Sequence, residues 1–262
     1  MVRNLLRRCG RPCADTRMIY FVADVHLGLK AGPEGPAERE ARFVDWLHSI
    51  NRPDTEALWL LGDIWDFWYE YRDLIPREGA RVTAALIALL EAGIKVYYIP
   101  GNHDVWLYSF WQKMGVQVLA QPQTVEIYGK RVLLGHGDAL GGAKWNYRLM
   151  LCLFKSRVCQ VLFSCLHPWL AYRFGTDWSN SNRRKHGGYR FRGEEEPLYR
   201  YCAAECEKSA AAGTPVDICL FGHFHDAVDM PVAGSRLVVL KDWIGGGVHF
   251  ASLAADGSFK VE

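Results

Sequence analysis

The chain has 262 residues, of which 50% are hydrophobic, 13% aromatic and 23% charged; this suits one large domain, with or without an insertion, and excludes a disordered or collagen-like polymer. A formal charge of +2 excludes a polycation built for nucleic acid. The average hides an imbalance, because Lys144 to Arg200 carries 11 Lys/Arg against 4 Asp/Glu while the rest of the chain is net acidic.

Residues 1–17 hold five arginines and no long apolar core, so a basic, disordered extension is expected there rather than a secretory signal, with the fold starting at Met18. Ile19–Val22 reads as a strand that ends in Asp24-Val25-His26. Phe43, Leu47 and Ile50 share one helix face before Pro53. Ala57–Leu61 is a second strand ending in Gly62-Asp63, and the Arg81–Leu90 helix stops at Gly93. Lys95–Ile99 runs into Gly101-Asn102-His103-Asp104. Thr124–Ile127 and Arg131–Leu134 form an antiparallel hairpin whose second strand leads into Gly135-His136-Gly137-Asp138. Residues 140–196 fit no strand-helix unit and are expected as an inserted helical cap.

Tyr199–Ala212 reads as a helix, and Ile218–Phe221 as a strand before Gly222-His223-Phe224-His225. Arg236–Leu240, Val248–Leu253 and Ser258–Val261 read as further hairpins. Short continuous apolar runs mark strands buried on both faces. Strands alternating with helices, plus hairpins, predict a mixed α/β (α+β) layered domain over residues 18–262. The eight cysteines form no CxxC pair and mostly sit in apolar surroundings, so reduced, mostly buried thiols of a cytosolic protein are expected. Cys202 and Cys206 lie one helical turn apart, with nothing nearby to complete a metal site. No apolar run reaches the roughly 20 residues of a membrane span.

The polar residues at the five strand ends carry the chemistry. Asp24, His26, Asp63, Asn102, His136, His223 and His225 supply carboxylates, imidazoles and one carboxamide, and ligands gather beyond the carboxyl ends of strands in such folds. This donor set suits two divalent ions such as Mn, Fe or Zn, with an aspartate able to bridge them. Each piece alone is weak, since an Asp-x-His is more often a surface pair. Seven polar groups gathered at strand ends without a cation, however, would be an unpaired-charge problem.

In order, Asp24/His26, Gly62-Asp63, Gly101-Asn102-His103-Asp104, Gly135-His136 and Gly222-His223-Phe224-His225 resemble the pattern of the calcineurin-like metallophosphoesterases over residues 18–226. The resemblance implies a two-sheet sandwich flanked by helices and a two-metal centre. One ion would be held by Asp24, His26, Asp63 and His225, the other by Asp63, Asn102, His136 and His223. Two cations about 3.5–4 Å apart activate a water and clamp phosphoryl oxygens for in-line displacement. His103 is not needed as a ligand and is free to bond the developing oxyanion or protonate the leaving oxygen, with Asp104 expected to fix its ring.

Substrate class must come from the insertion. Trp145–Phe174 mixes Leu, Phe, Val, Trp and Tyr with Arg148, Lys155, Arg157 and Arg173, which fits an interfacial element on an anionic membrane. The alternative is an apolar helix pair buried against the core, its charges merely solvated. Asn182, Arg183 and Arg184, with Lys185 and His186, concentrate positive charge for a polyanionic headgroup.

Met18 to Gly28, Gly62 to Tyr71, Gly101 to Trp106, His136-Gly137-Asp138 and Leu166 to Trp169 are similar to one branch of that superfamily, the UDP-2,3-diacylglucosamine diphosphatases of Gram-negative lipid A synthesis. This implies pyrophosphate hydrolysis to UMP and 2,3-diacylglucosamine 1-phosphate, commonly with Mn, by a peripheral protein on the cytoplasmic face of the inner membrane. The expected substrate contacts are Asn102, His103, Asp138, Asn182, Arg183, Arg184 and His223. The chain departs from many members in having His103 where they carry arginine, and Gly141-Gly142-Ala143-Lys144 where an acidic residue often stands. The competing enzyme is a soluble metallophosphatase or phosphodiesterase acting on a small molecule or nucleotide. A non-catalytic scaffold is disfavoured because such scaffolds tend to lose ligands, whereas all seven are present.

Overall fold

Strand β1 (Met18–Val22) shows why the apolar runs are continuous. Ile19 and Phe21 point to one buried layer, Tyr20 and Val22 to another, so successive side chains on both faces lose water. A computed structural model describes residues 16–142, 145–186 and 189–262, with side chains throughout except at 182–186. Most of the basic extension, Ala143, Lys144, and the side chains of Asn182, Arg183 and Arg184 therefore lie outside the described residues.

Helix α1 (Pro36–Ser49) starts with proline at its first turn, where the missing N–H costs nothing. Strand β2 (Thr55–Leu60), helix α2 (Ala80–Glu91), strand β3 (Lys95–Tyr98), short helix α3 (Phe110–Met114) and strand β4 (Gln117–Val118) follow. Strands β5 (Gln123–Ile127) and β6 (Lys130–Leu134) form the hairpin. Helices α4 (Trp145–Lys155), α5 (Arg157–Ser164) and α6 (Pro168–His186) come next, before α7 (Pro197–Ala211). The chain ends with β7 (Ile218–Phe221), β8 (Val228–Val232), β9 (Ser235–Val239), β10 (Ala251–Ala254) and β11 (Phe259–Val261).

The first sheet has strand order β11-β10-β1-β2-β3-β4 and the second β5-β6-β7-β9-β8. Ile19, Phe21 and Trp59 meet Val132, Leu134, Leu220 and Val238 between the sheets. Helices α1 and α2 cover the outer face of the first sheet through Phe43, Leu47, Leu86 and Leu89. Helix α7 covers the second through Leu198, Cys202 and Cys206. In each sheet the strands that feed the polar loops run parallel, so their carboxyl ends open at one edge of the sandwich.

Three expectations are corrected. The last two runs pair as the expected hairpin, β10 with β11, but β9 and β10 part company: β9 pairs with β8, an edge strand the sequence hid because Asp229 and Pro231 interrupt it, while β10 joins the first sheet beside β1. The Val248–Leu253 run is strand only from Ala251. The thiols divide: Cys202, Cys206 and Cys219 are buried, with Cys206 Sγ 3.5 Å from Cys219 Sγ, but Cys152 and Cys165 are exposed on the cap.

Candidate metal centre and its cap

Asp24 and His26 follow β1, Asp63 follows β2, Asn102 and His103 follow β3, His136 follows β6, and His223 and His225 follow β7. The two sheets thus bring all seven proposed ligands to one place. Donor atoms of Asp24, His26 and His225 converge, as do those of Asp63, His136 and His223, each set within 4.8 Å. Asp63 Oδ2 faces both groups, 3.3 Å from His136 Nε2 and 3.8 Å from His26 Nε2. Asn102 Oδ1 lies 3.3 Å from His136 Nε2.

The carboxylates are aimed by the loops themselves. The His223 amide donates to Asp24 Oδ2 at 2.8 Å, and the His103 amide to Asp63 Oδ1 at 2.9 Å. One oxygen of each is consumed, and the other turns to the imidazoles. Gly222 and Gly101 permit this closeness, because a Cβ there would stand 2.3 Å from Asp24 Oδ2 and 2.2 Å from Asp63 Oδ1. Asp24, His26, Asp63, His223 and His225 all take positive φ, between 51° and 74°. Left-handed backbone costs a non-glycine residue on the order of 1 kcal/mol, and its concentration here marks a site whose geometry is imposed by its surroundings.

The donors fit divalent cations. Asp24 Oδ1 is buried with no hydrogen-bond partner among the described residues, and it sits 3.6 Å from His26 Nε2 and 3.8 Å from His225 Nε2, too far for direct bonds. A buried carboxylate oxygen left so is costly without a cation. Burial raises the Asp24 carboxyl to about 6, against the pull of His225 and His136. Burial also pushes Asp63 up, but the facing His136 and His103 outweigh it and hold Asp63 well below the usual carboxylate range. His136, which burial alone would depress, is held well above the imidazole range by Asp63 and Asp24. His223, buried against His136, falls to about 4. An entering cation would therefore compete with a proton on His136.

Asp104 is a correction. Its carboxylate accepts from the amides of Ile64 at 2.8 Å and Gly101 at 2.7 Å and from the Tyr98 hydroxyl, tying the β2 and β3 loops together. The His103 ring is fixed instead by Asp66, whose carbonyl oxygen is 2.9 Å from Nδ1. Asp66 also has Oδ1 3.3 Å from His26 Nδ1 and accepts a 2.9 Å bond from Ser179 of α6. The sequence reading missed Asp66, although Asp63-x-x-Asp66 stands within the Gly62-Asp63 motif's own loop. Asp138 turns its carboxylate to the Gln121 amide and to the Tyr147 hydroxyl of α4, which braces the cap against the His136 loop rather than presenting a free carboxylate. Gln121, also missed, accepts from the amides of His136 and Gly137, both at 2.9 Å.

The buried-helix alternative for the insertion is overturned, because neither α4 nor α5 contains a buried residue. Trp145, Leu149 and Leu153 recur at helical spacing along α4 and are exposed, Trp145 by 77%. Val158, Val161, Leu162, Trp169, Leu170 and Phe174 extend the apolar surface, with Arg148, Lys155, Arg157 and Arg173 exposed among them. Under the cap lies an apolar cavity of about 210 Å³ walled by Phe67, Trp106, Phe154, Phe163, Phe174 and Trp178.

The chain is similar to several known proteins. The UDP-2,3-diacylglucosamine hydrolase of Porphyromonas gingivalis is 33% identical over 242 residues, covering 86% of this chain and 90% of that protein. The one from Haemophilus influenzae is 28% identical over 229 residues, with coverage of 86% and 90%. A solved dimetal phosphatase from Danio rerio overlays with a TM-score of 0.46 at 11% identity, covering 94% of this chain and 96% of that one. The calcineurin-like phosphoesterase family model matches residues 18–227, from the first residue of β1 to just past His225. The chain belongs to the calcineurin-like phosphoesterase family and is a metal-dependent hydrolase.

Proposed function

We propose that this chain hydrolyses the pyrophosphate bond of UDP-2,3-diacylglucosamine, releasing UMP and 2,3-diacylglucosamine 1-phosphate in lipid A synthesis. The observation that carries this is an apolar chamber whose walls, Phe67 and Trp178, neighbour Asp66 and Ser179, the bonded pair that touches His26 of the Asp/His cluster. Phe67 in the chamber wall adjoins Asp66, which contacts His26 and His103, and Trp106 of the same wall lies a few residues past His103 in the same loop. Such a junction suits an ester with a phosphate at one end and acyl chains at the other. The identity with relatives named for that substrate supports the same choice.

Asp24, His26, Asp63 and His225 would hold one divalent ion, and Asp63, Asn102, His136 and His223 the second. Manganese is the preferred metal, and iron or zinc would satisfy the same donors. Bound there, the ions would lower the pKa of a water and offset phosphoryl charge. His103 donates its Nδ1–H to the Asp66 carbonyl and turns Nε2 toward Asp63 at 4.0 Å; as the doubly protonated imidazolium it would donate its Nε2 proton to the leaving oxygen. Asn102 and His223 face the same centre and complete the phosphate contacts. Asn182, Arg183 and Arg184 at the end of α6 would take the anionic headgroup.

The exposed apolar and basic face of the cap is assigned to the anionic inner face of a Gram-negative inner membrane, as a peripheral association. No helix among the described residues is long and apolar enough to cross a membrane. Incubation of Mn-loaded protein with UDP-2,3-diacylglucosamine should release UMP. Brisk cleavage of a simple phosphodiester with no UMP released would replace this function with that of a general phosphodiesterase.

A further inference from the structure

We propose that Asp242 is a positioning residue for His225, so that the segment beyond the family's matched span completes one metal site. This rests on His225 being a ligand. Asp242 lies between β9 and β10, fifteen residues past residue 227, where the family match ends. Its Oδ2 is 2.7 Å from His225 Nδ1, while its Oδ1 accepts the Ile244 amide at 3.2 Å. A carboxylate at Nδ1 fixes the N–H there and leaves the Nε2 lone pair as the donor. That nitrogen is the one facing Asp24 Oδ1.

His225 has particular need of a brace. Its side chain is 30% exposed, whereas those of His26 and His136 are fully buried. Its backbone is left-handed at φ 56°. His136 gets its Nδ1 partner from the body of the fold, the Leu61 carbonyl at 2.9 Å; among the described residues, His225 gets its Nδ1 partner from the C-terminal segment. That segment is itself well anchored. The fully buried Trp243 donates its amide to the Asp24 carbonyl at 3.1 Å and its indole N–H to the His249 carbonyl at 2.7 Å, and its own carbonyl accepts from Arg42 at 2.6 Å. One short stretch thus grips the backbone of Asp24 and the ring of His225, two donors of the same ion.

The test is calorimetric titration of Mn²⁺ into the full-length chain, dialysed free of metal, for wild type, Asp242→Asn and Asp242→Glu. Asparagine keeps the shape and an acceptor for Ile244 but loses the charge. It should weaken one of two Mn²⁺ steps by about 10–100-fold and leave the other within about twofold. Glutamate should recover part of the loss. In ¹⁵N spectra of the metal-free chain, the His225 ring should hold its proton on Nδ1 in wild type and become a tautomer mixture in Asp242→Asn. Unchanged binding and tautomer would overturn the proposal. So would equal weakening of both steps with a matching fall in melting temperature, which marks a merely structural role. A wild-type chain that binds fewer than two Mn²⁺ would instead overturn the metal assignment on which the proposal stands.

Discussion

The loops that carry the Asp/His cluster and the helices of the cap solve opposite problems. Loop donors are held by the body of the fold: Asp63 by the His103 amide, His136 by the Leu61 carbonyl, the His26 carbonyl by the buried Arg39 guanidinium at 2.8 Å. The cap has almost no buried side chains, and hydrogen bonds such as Tyr147 to Asp138, Ser179 to Asp66 and Tyr69 to the Gln160 carbonyl help join it to the body. Chemistry at phosphorus requires donors placed within about half an ångström. A surface that meets lipid of variable length gains from being apolar and loosely tied.

If the division is real, each half should fail separately. The largest effect is expected from Asp63→Ala, which removes the carboxylate shared by both donor groups. UMP release should fall by about 10³-fold or more, equivalent to about 4 kcal/mol in the barrier, while sedimentation with anionic liposomes stays unchanged. Joint replacement of Arg148, Arg157 and Arg173 by glutamine should do the reverse. At about 1 kcal/mol per cation, liposome binding should weaken by up to about a hundredfold at low salt, with little loss at high salt. Turnover of detergent-dispersed substrate should persist. Unchanged liposome binding at low salt would remove the membrane role from the cap.

The smallest effect concerns the support of the loops. Hydrogen bonds from Arg42 and then Arg39 hold the Glu34 carboxyl below the usual carboxylate range, against the opposing effect of burial. A depressed carboxyl adds stability at pH values above its unfolded range, and that stability is lost as pH falls through the folded value. Glu34→Gln should therefore lower the melting temperature near neutral pH by roughly 2–4 °C, about 1 kcal/mol. The gap from wild type should close on acidification, and a gap independent of pH would contradict the ionic origin.

The loop half was largely legible in the sequence because each ligand follows an apolar strand, and parallel strands must end at one edge. What escaped notice were partners fixed by register. Asp242 ends the apolar run of β9, and the pairing of Phe221 with Val239 sets that strand end beside His225. Reading Arg236–Leu240 only as a hairpin strand left its parallel neighbour β7 out of view. Asp104 was misplaced for a related reason: adjacency in sequence to His103 suggested contact, but at a sharp turn successive side chains diverge. The cap resisted reading because an i, i+4 apolar stripe looks the same whether it turns inward or outward. Only the packing showed that Trp145, Leu149 and Leu153 turn out.

The two sheets contribute unequally to the cluster: Asp24, His26, Asp63 and Asn102 come from the first, His136, His223 and His225 from the second. Ions held between them would act as rivets across the open edge of the sandwich, doing for its seam what a disulfide does for a loop. Folding and metal occupancy would then be one equilibrium, each ion adding about 4 kcal/mol when present at a thousand times its dissociation constant. A chelator would not merely silence such a protein; it would unfasten it.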